Sequence, residues 1–224
     1  MQISKDTIDI LKNFSEINQN LLVKEGNTLS TISVMKNILA DAEISESFPR
    51  EFGLYDLNDF LAKASIHDDC EVDFDEVKVS FTGKNSKGTK GKAHYADPSV
   101  LVYPKQSISF PEAVIEFELK EKDFQWIKKA SAITGLPDLV LQSDGDVVKL
   151  IATEKQNDTS DDQELIIGDG DGKKYFMAFK AENIKILSGD YTVFIAEQKI
   201  SKFVHKTKNI VYHIALEPDS TYEG

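Results

Sequence analysis

Along residues 4–18, SKDTIDILKNFSEIN, the apolar side chains Ile10, Leu11, Phe14 and Ile17 recur at helical spacing while Lys5, Asp9, Lys12 and Glu16 take the opposite face. Ser4 is placed as the N-cap, and Asp6 sits in the first turn, where a negative charge meets the positive end of the helix dipole. Residues 120–134, KEKDFQWIKKASAIT, repeat the scheme: Phe124, Ile127, Ala130 and Thr134 form the predicted buried stripe, and Lys122, Gln125, Lys128 and Lys129 the polar face. A second helix is predicted in each half, at 55–67 with Leu57, Phe60, Leu61 and Ala64 inward, and at 180–187. Elsewhere the period falls to two. Hairpins are predicted at 21–34 around Glu25-Gly26-Asn27, at 139–152 around Asp144-Gly145, and from 199–206 to 209–217. In 75–82, Val77, Val79 and Phe81 alternate with Lys78, Ser80 and Thr82, as in a half-buried strand. The order helix, strands, helix, strands occurs twice, which is an α+β chain and not an alternating βαβ one.

Pro98, Pro104 and Pro111 crowd one stretch, ADPSVLVYPKQSISFPE, at the middle of the chain. Proline lacks a backbone donor and restrains its predecessor, so this stretch reads as an extended connector. The predicted division is an N-terminal domain at 1–96, a connector at 97–112 and a C-terminal domain at 113–224. The two leading helices share a short pattern, Lys5-Asp6-x3-Ile10-x-Lys12 against Lys122-Asp123-x3-Ile127-x-Lys129, at equivalent places in halves of equal length.

Charge adds a tension. The chain of 224 residues carries a formal net charge of −12, and each half sums to −6, so the acidity is not a tail. An acidic balance disfavours nucleic acid unless the positive charges are segregated onto one surface. Segregation is visible at TGKNSKGTKGK, residues 82–92, where Lys84, Lys87, Lys90 and Lys92 stand with three glycines and no carboxylate. Lys5 and Lys12, and Lys122 and Lys129, also lie seven residues apart on one helix face, although Asp9 and Glu16 share the first of these stripes, as on an ordinary solvated face. The lone Cys70, the charged N-terminal segment and the absence of a long apolar run predict a soluble, intracellular protein without disulfides or a membrane span.

Chemical motifs fail one by one. Gly83 and Gly88 have P-loop spacing, but Gly88-Thr89-Lys90 reverses the required Lys-Ser/Thr order and lies between strands. GDGDGKK at 168–174 lacks the closing bidentate glutamate of a calcium loop and reads as a hairpin turn. His67, His94, His205 and His213 show no ligand spacing, no serine sits in a nucleophile elbow, and acidic neighbours disfavour a Cys70 thiolate. The expectation is a protein that is not an enzyme, with no cofactor and no metal. Pattern and composition alone leave room for a β-rich viral structural or adaptor protein that never meets DNA.

Five fragments in order, ISKDTIDILKNFSEIN, LYDLNDFL (54–61), ADPS (96–99), ISFP (108–111) and the terminal IALEPDSTYEG, resemble the DNA polymerase sliding clamps of T-even-type bacteriophages. The resemblance implies a DNA-clamp fold with two similar domains per chain, helices lining a central hole and antiparallel sheets outside. It implies a homotrimeric ring of six domains and twelve helices that encircles double-stranded DNA without sequence preference and tethers the replicative polymerase. A clamp loader driven by ATP would open the ring, late-transcription factors would use it, and it would act in the cytoplasm of the infected bacterial host. The DNA-facing residues would be Lys5, Lys12, Lys63, Lys122, Lys128, Lys129 and Lys185. Lys84, Lys87, Lys90 and Lys92 would touch DNA from a flexible loop at the rim. A pocket for the polymerase's C-terminal peptide would draw on Leu101, Val102, Tyr103, Leu216 and Pro218.

Overall fold

The computed structural model describes residues 1–84, 88–157 and 159–223. The chain divides into two compact units, Met1–Ser107 and Ile108–Gly224. In the first, helix α1 (Lys5–Ile17) is followed by strands β1 (Leu21–Val23), β2 (Gly26–Ile32), β3 (Ile38–Phe48) and β4 (Phe52–Leu54). Helix α2 (Leu57–Ser65) then leads into a meander of β5 (Cys70–Phe74), β6 (Lys78–Gly83) and β7 (Lys90–His94). Ser4 is the N-cap of α1, and its hydroxyl accepts from the Thr7 amide at 3.2 Å. Ile10, Leu11, Phe14 and Ile17 are buried as the periodicity requires. Phe48, Phe52, Phe74 and Tyr95 pack edge-on or tilted, with ring centroids 4.9–5.6 Å apart, in a core that α2 extends through the Phe60–Phe81 contact.

The predicted hairpin at 21–34 does not form. Leu21, Leu22 and Val23 are all buried, and β1 pairs with β4, while Gly26 at φ +112° turns the chain away so that β2 pairs with β3. A continuous apolar run carries no hairpin register of its own; burial on both faces selected a distant partner. The strand at 75–82 also starts late: Asp75 bonds back to the Val77 and Lys78 amides in a turn, leaving Val77 exposed and Val79 and Phe81 inward.

In the second unit, β8 (Ala113–Leu119) leads to helix α3 (Glu121–Thr134), then β9 (Asp138–Asp144), β10 (Val147–Thr153), β11 (Gln163–Asp169) and β12 (Lys174–Lys180). Strands β13 (Tyr191–Ala196), β14 (Ile200–His205), β15 (Ile210–Ala215) and β16 (Thr221–Glu223) complete it. One antiparallel sheet runs β11-β10-β9-β12-β16, and within the unit β8, β13, β14 and β15 are joined in that order. The hairpins at β9–β10 and β14–β15 stand where the sequence placed them, the first turning at Gly145 with φ +103°. The helix predicted at 180–187 is only a 3-10 turn, Ala181–Asn183. Beyond it Ile184 and Ile186 are buried alternately with half-buried Lys185 and Leu187, a two-residue period that helical backbone cannot provide. The described residues therefore hold three α-helices, two in the first unit and one in the second, not two in each half.

Both leading helices are held by a carboxylate from a distant part of their own unit. Glu46 on β3 accepts from the Ser4 amide and, at 2.5 Å, from the Thr7 hydroxyl. Asp190, just before β13, accepts from the Glu121 amide at 2.8 Å and pairs with Lys120 at 3.3 Å. Each satisfies orphan amides and sets a negative charge at the positive end of a helix. Burial alone would raise the Glu46 pKa, but its hydrogen bonds from Thr7, Ser4 and Ser45 outweigh that and bring it down to about 2. A carboxylate with a folded pKa below its unfolded value stabilises above the unfolded pKa, and the benefit is lost as pH falls through the folded one. Unfolding of Glu46→Gln by denaturant is expected to show a loss of about 1 kcal/mol at neutral pH, after allowance for solvent screening. Between pH 4.5 and about 2 its stability should fall less steeply than that of the parent. An equal slope in that acid window would remove Glu46 as the cap.

Candidate nucleic-acid interface

Lys5 and Lys12 are exposed on α1 with Asp9 and Glu16 on the same stripe. On α3, Lys122 and Lys129 are exposed opposite the buried Phe124, Ile127 and Ser131, and Lys128 is exposed at the flank of that buried face. The predicted inner stripe was displaced here: Ser131 replaces Thr134, which is exposed, because Gly135 in the left-handed region ends the helix and Ser131 closes it by donating to the Leu136 carbonyl at 2.6 Å. Lys128 lies over the Phe124 ring at 5.3 Å, so its stem covers apolar surface. Among the described residues, Lys5, Lys12, Lys122 and Lys129 take part in no ion pair, which leaves their charge available to an external anion.

The other two predicted contacts differ. Lys63 on α2 is paired with Asp59 at 2.5 Å, one turn before it. Lys185 is half-buried on non-helical backbone, because the helix expected to present it is absent.

The glycine-rich stretch is also more structured than a flexible loop. Gly83 ends β6, and Gly91 lies within β7 with Lys90 and Lys92, both exposed; of the three glycines only Gly88, at φ +77°, answers a turn. His67 and its partner Thr89 explain the other two. Its buried ring stacks on Phe81, and its Nδ1 lies 3.1 Å from the Thr89 hydroxyl. A Cβ at Gly91 would stand 2.8 Å from His67 Nε2, and one at Gly83 would stand 2.6 Å from the Thr89 hydroxyl. Lys84 is paired with Glu71 at 2.8 Å, so its charge is already matched, and Lys87 lies outside the described residues.

The predicted peptide-pocket residues divide by burial. Leu101 is buried against Gly53 of β4, and Leu216 is buried in the second unit. Val102 is tied to the first unit through both backbone groups: its amide donates to Asn20 at 3.1 Å and its carbonyl accepts from Asn18 at 2.8 Å. Tyr103 and Pro104 remain half-buried along a groove of about 380 Å³, which Leu22, Lys24, Thr28 and Asp41 also line. Pro218 is exposed, and its carbonyl accepts from Lys199. A second cavity in the first unit, about 580 Å³, lies between the start of α1, the end of α2 and β5, with Lys12, Glu46 and Cys70 among its walls.

Two features of α3 escaped the sequence reading: Trp126 and Ile133 are exposed beside the lysines. The stripe at 122, 126, 129 and 133 lies opposite the Phe124–Ile127 face, and that spacing was the signal for them.

Two family models match the chain, one described as DNA polymerase processivity factor over residues 4–103 and one as the gp45 sliding clamp, C terminal, over residues 116–218. A sliding clamp of Vibrio phage KVP40 is 34% identical over 97% of this chain and 99% of its own. The sliding clamps of Escherichia phage RB69 and Enterobacteria phage T4 are 31% and 30% identical, each over 100% of both chains. Solved structures share the fold at lower identity. The PCNA2–PCNA3 complex of Sulfolobus tokodaii matches with a TM-score of 0.69 at 14% identity, over 94% of this chain and 95% of that one. A. fulgidus PCNA bound to the C-terminal region of FEN-1 matches with a TM-score of 0.68 at 14% identity, over 96% of each.

The steric reading of His67 is open to a double-mutant cycle. Gly91→Ala should destabilise the protein by about 1–3 kcal/mol, the range for forcing a methyl into packed surroundings. Combined with His67→Ala, which removes the obstructing ring, the cost should be well below the sum of the two single changes. Additivity would mean that Gly91 is not required by His67.

Proposed function

The chain belongs to the sliding clamps of T4-like bacteriophages, the DNA polymerase processivity factors, and on that premise we propose that three copies close head to tail into a ring around duplex DNA. The observation that carries this reading is the full-length match to three phage clamps, joined to a pair of helices whose lysines hold no ion pair among the described residues. A ring keeps its DNA by topology, so each phosphate contact can be weak, and weak unpaired ammonium groups permit sliding where base contacts would oppose it. Lys5, Lys12, Lys122, Lys128 and Lys129 face the phosphates in this reading. Lys90 and Lys92 add contacts where DNA passes the β7 edge, and the acidic remainder of the surface repels DNA from unproductive approaches. Lys63 and Lys84 contribute little, since each already has a carboxylate partner.

The ring would be opened by an ATP-driven loader and would carry the replicative polymerase through its C-terminal peptide. The groove beside Tyr103 is the part of the predicted pocket left open to such a peptide, with Leu101 and Leu216 committed to the interior. Late-transcription factors would use the same ring, within the cytoplasm of the infected host. Among the described residues no helix is long and apolar enough to cross a membrane. The clamp acts as a scaffold and performs no chemical step.

Native mass at micromolar concentration should give about 75 kDa, three chains of 25.1 kDa. Once loaded, the protein should be retained on nicked circular duplex and lost when that duplex is linearised. A monomer that neither loader nor DNA converts to a trimer would overturn the ring. Replacing Lys122 and Lys129 together by glutamine should lower the slope of log affinity against log salt on linear duplex by about two per engaged subunit. Replacing Lys63 and Lys84 should leave that slope unchanged.

A further inference from the structure

The two leading helices align at a constant offset of 117 residues, which pairs Lys5 with Lys122, Asp9 with Trp126, Lys12 with Lys129 and Glu16 with Ile133. On α1 the outward stripe alternates lysine and carboxylate and is close to neutral. On α3 the lysines are kept, and both carboxylate positions are apolar. Trp126 is 44% exposed and Ile133 72% exposed, on the side of the helix opposite Phe124, Ile127 and Ser131. After Asp123 no carboxylate occurs on α3, so every charge from Gln125 to Thr134 is positive. An exposed tryptophan between two ammonium groups that form no ion pair among the described residues is poorly explained by stability: it leaves part of a large apolar surface in water.

We propose that Trp126 is a DNA-contact residue that lies along the duplex backbone between the phosphates held by Lys122 and Lys129, and that α3 is the principal DNA-gripping helix of each subunit while α1 is the weaker one. The chemistry fits a backbone and not a base. Indole offers a flat apolar face that can rest on deoxyribose and a single N–H donor that can reach a phosphate oxygen, and neither carries sequence information. Lys122 and Lys129 stand about 10 Å apart along the helix axis and bracket the ring. The net positive face of α3 selects a polyanion over an apolar protein partner, whereas the Asp9 and Glu16 carboxylates oppose the same approach on α1. This inference rests on the proposal that these helices face DNA, and its test separates the two.

Trp126 is the only tryptophan of the chain, so its fluorescence reports this position alone. The clamp is loaded onto nicked circular duplex, freed of loader by gel filtration, and compared with free clamp and with clamp plus loader in the absence of DNA. The expected result is a shift in Trp126 emission and at least a twofold loss of acrylamide quenching on DNA, with neither change from loader alone. Trp126→Ala should shorten retention on linear duplex at moderate salt severalfold, with an unchanged native mass. Trp126→Phe should recover part of that retention, since the ring remains and the donor is lost. The matching change on α1, Asp9→Trp, should lengthen retention. If the clamp is retained on circular DNA while Trp126 stays equally quenchable, the inference fails and the clamp reading stands. If loader alone protects Trp126, the residue is a protein contact and the inference fails. If nothing is retained on circular DNA, both fail.

Discussion

Everything proposed for this molecule depends on which positive charges the fold leaves without a partner. The chain carries 26 basic against 38 acidic residues, so a lysine that ends up unpaired does so against the average. Part of the basic complement is matched by carboxylates within the chain. Lys180 reaches the buried Asp138 at 2.6 Å, Lys155 reaches Asp219 at 2.5 Å, and Lys206 reaches Glu118 at 2.6 Å. Asp138 and the Lys155 side chain are buried while Lys206 and Glu118 are exposed, and each pair removes a charge from the field seen by an approaching polyanion. Among the described residues the lysines on the outward faces of α1 and α3 form no ion pair, and under the proposed function these are charges that an acidic protein offers to DNA.

The helices that carry those faces are positioned from their N-terminal ends. Glu46 and Asp190 come from far along the chain and occupy the same role at α1 and α3, each accepting a backbone amide where the helix starts. Helix α2, which presents only a neutralised lysine, is capped by its own Asp56 through the Asn58 and Asp59 amides. A remote carboxylate ties the helix start to the sheet beneath it, so the lysine stripe is oriented by the tertiary core and not by the helix alone. The Glu121 amide, and further Lys120, lower the pKa of Asp190.

The two units are variations on one plan, and their differences are informative. Both carry an early helix on an antiparallel framework, α3 following strand β8, yet the second has a 3-10 turn where the first has α2. Function need not be shared equally between them. The stripe of α1 alternates lysine and carboxylate while that of α3 is cationic and partly apolar, the difference on which the proposed division of DNA contact between them rests.

The sequence by itself determined the elements whose signal is local. Helices α1 and α3 are legible from their 3.6-residue stripes, the β9–β10 and β14–β15 hairpins from alternation around a turn, and the family from five ordered fragments. The lysines at 5, 12, 122 and 129 were legible as exposed because helical spacing alone places them opposite an apolar face, while Lys128 falls at the flank of that face. Only the tertiary structure decided the rest, because each remaining outcome depended on a residue distant in sequence. Leu21–Val23 joined β4 instead of β2, Glu71 neutralised Lys84, His67 claimed the space beside Gly91, and Leu101 and Leu216 went inward. Ile184 and Ile186 were claimed by the core with a strand-like period against a mildly helical local pattern. Long-range burial and pairing outweigh local propensity wherever that propensity is weak, and a single sequence records propensity directly but partners only implicitly.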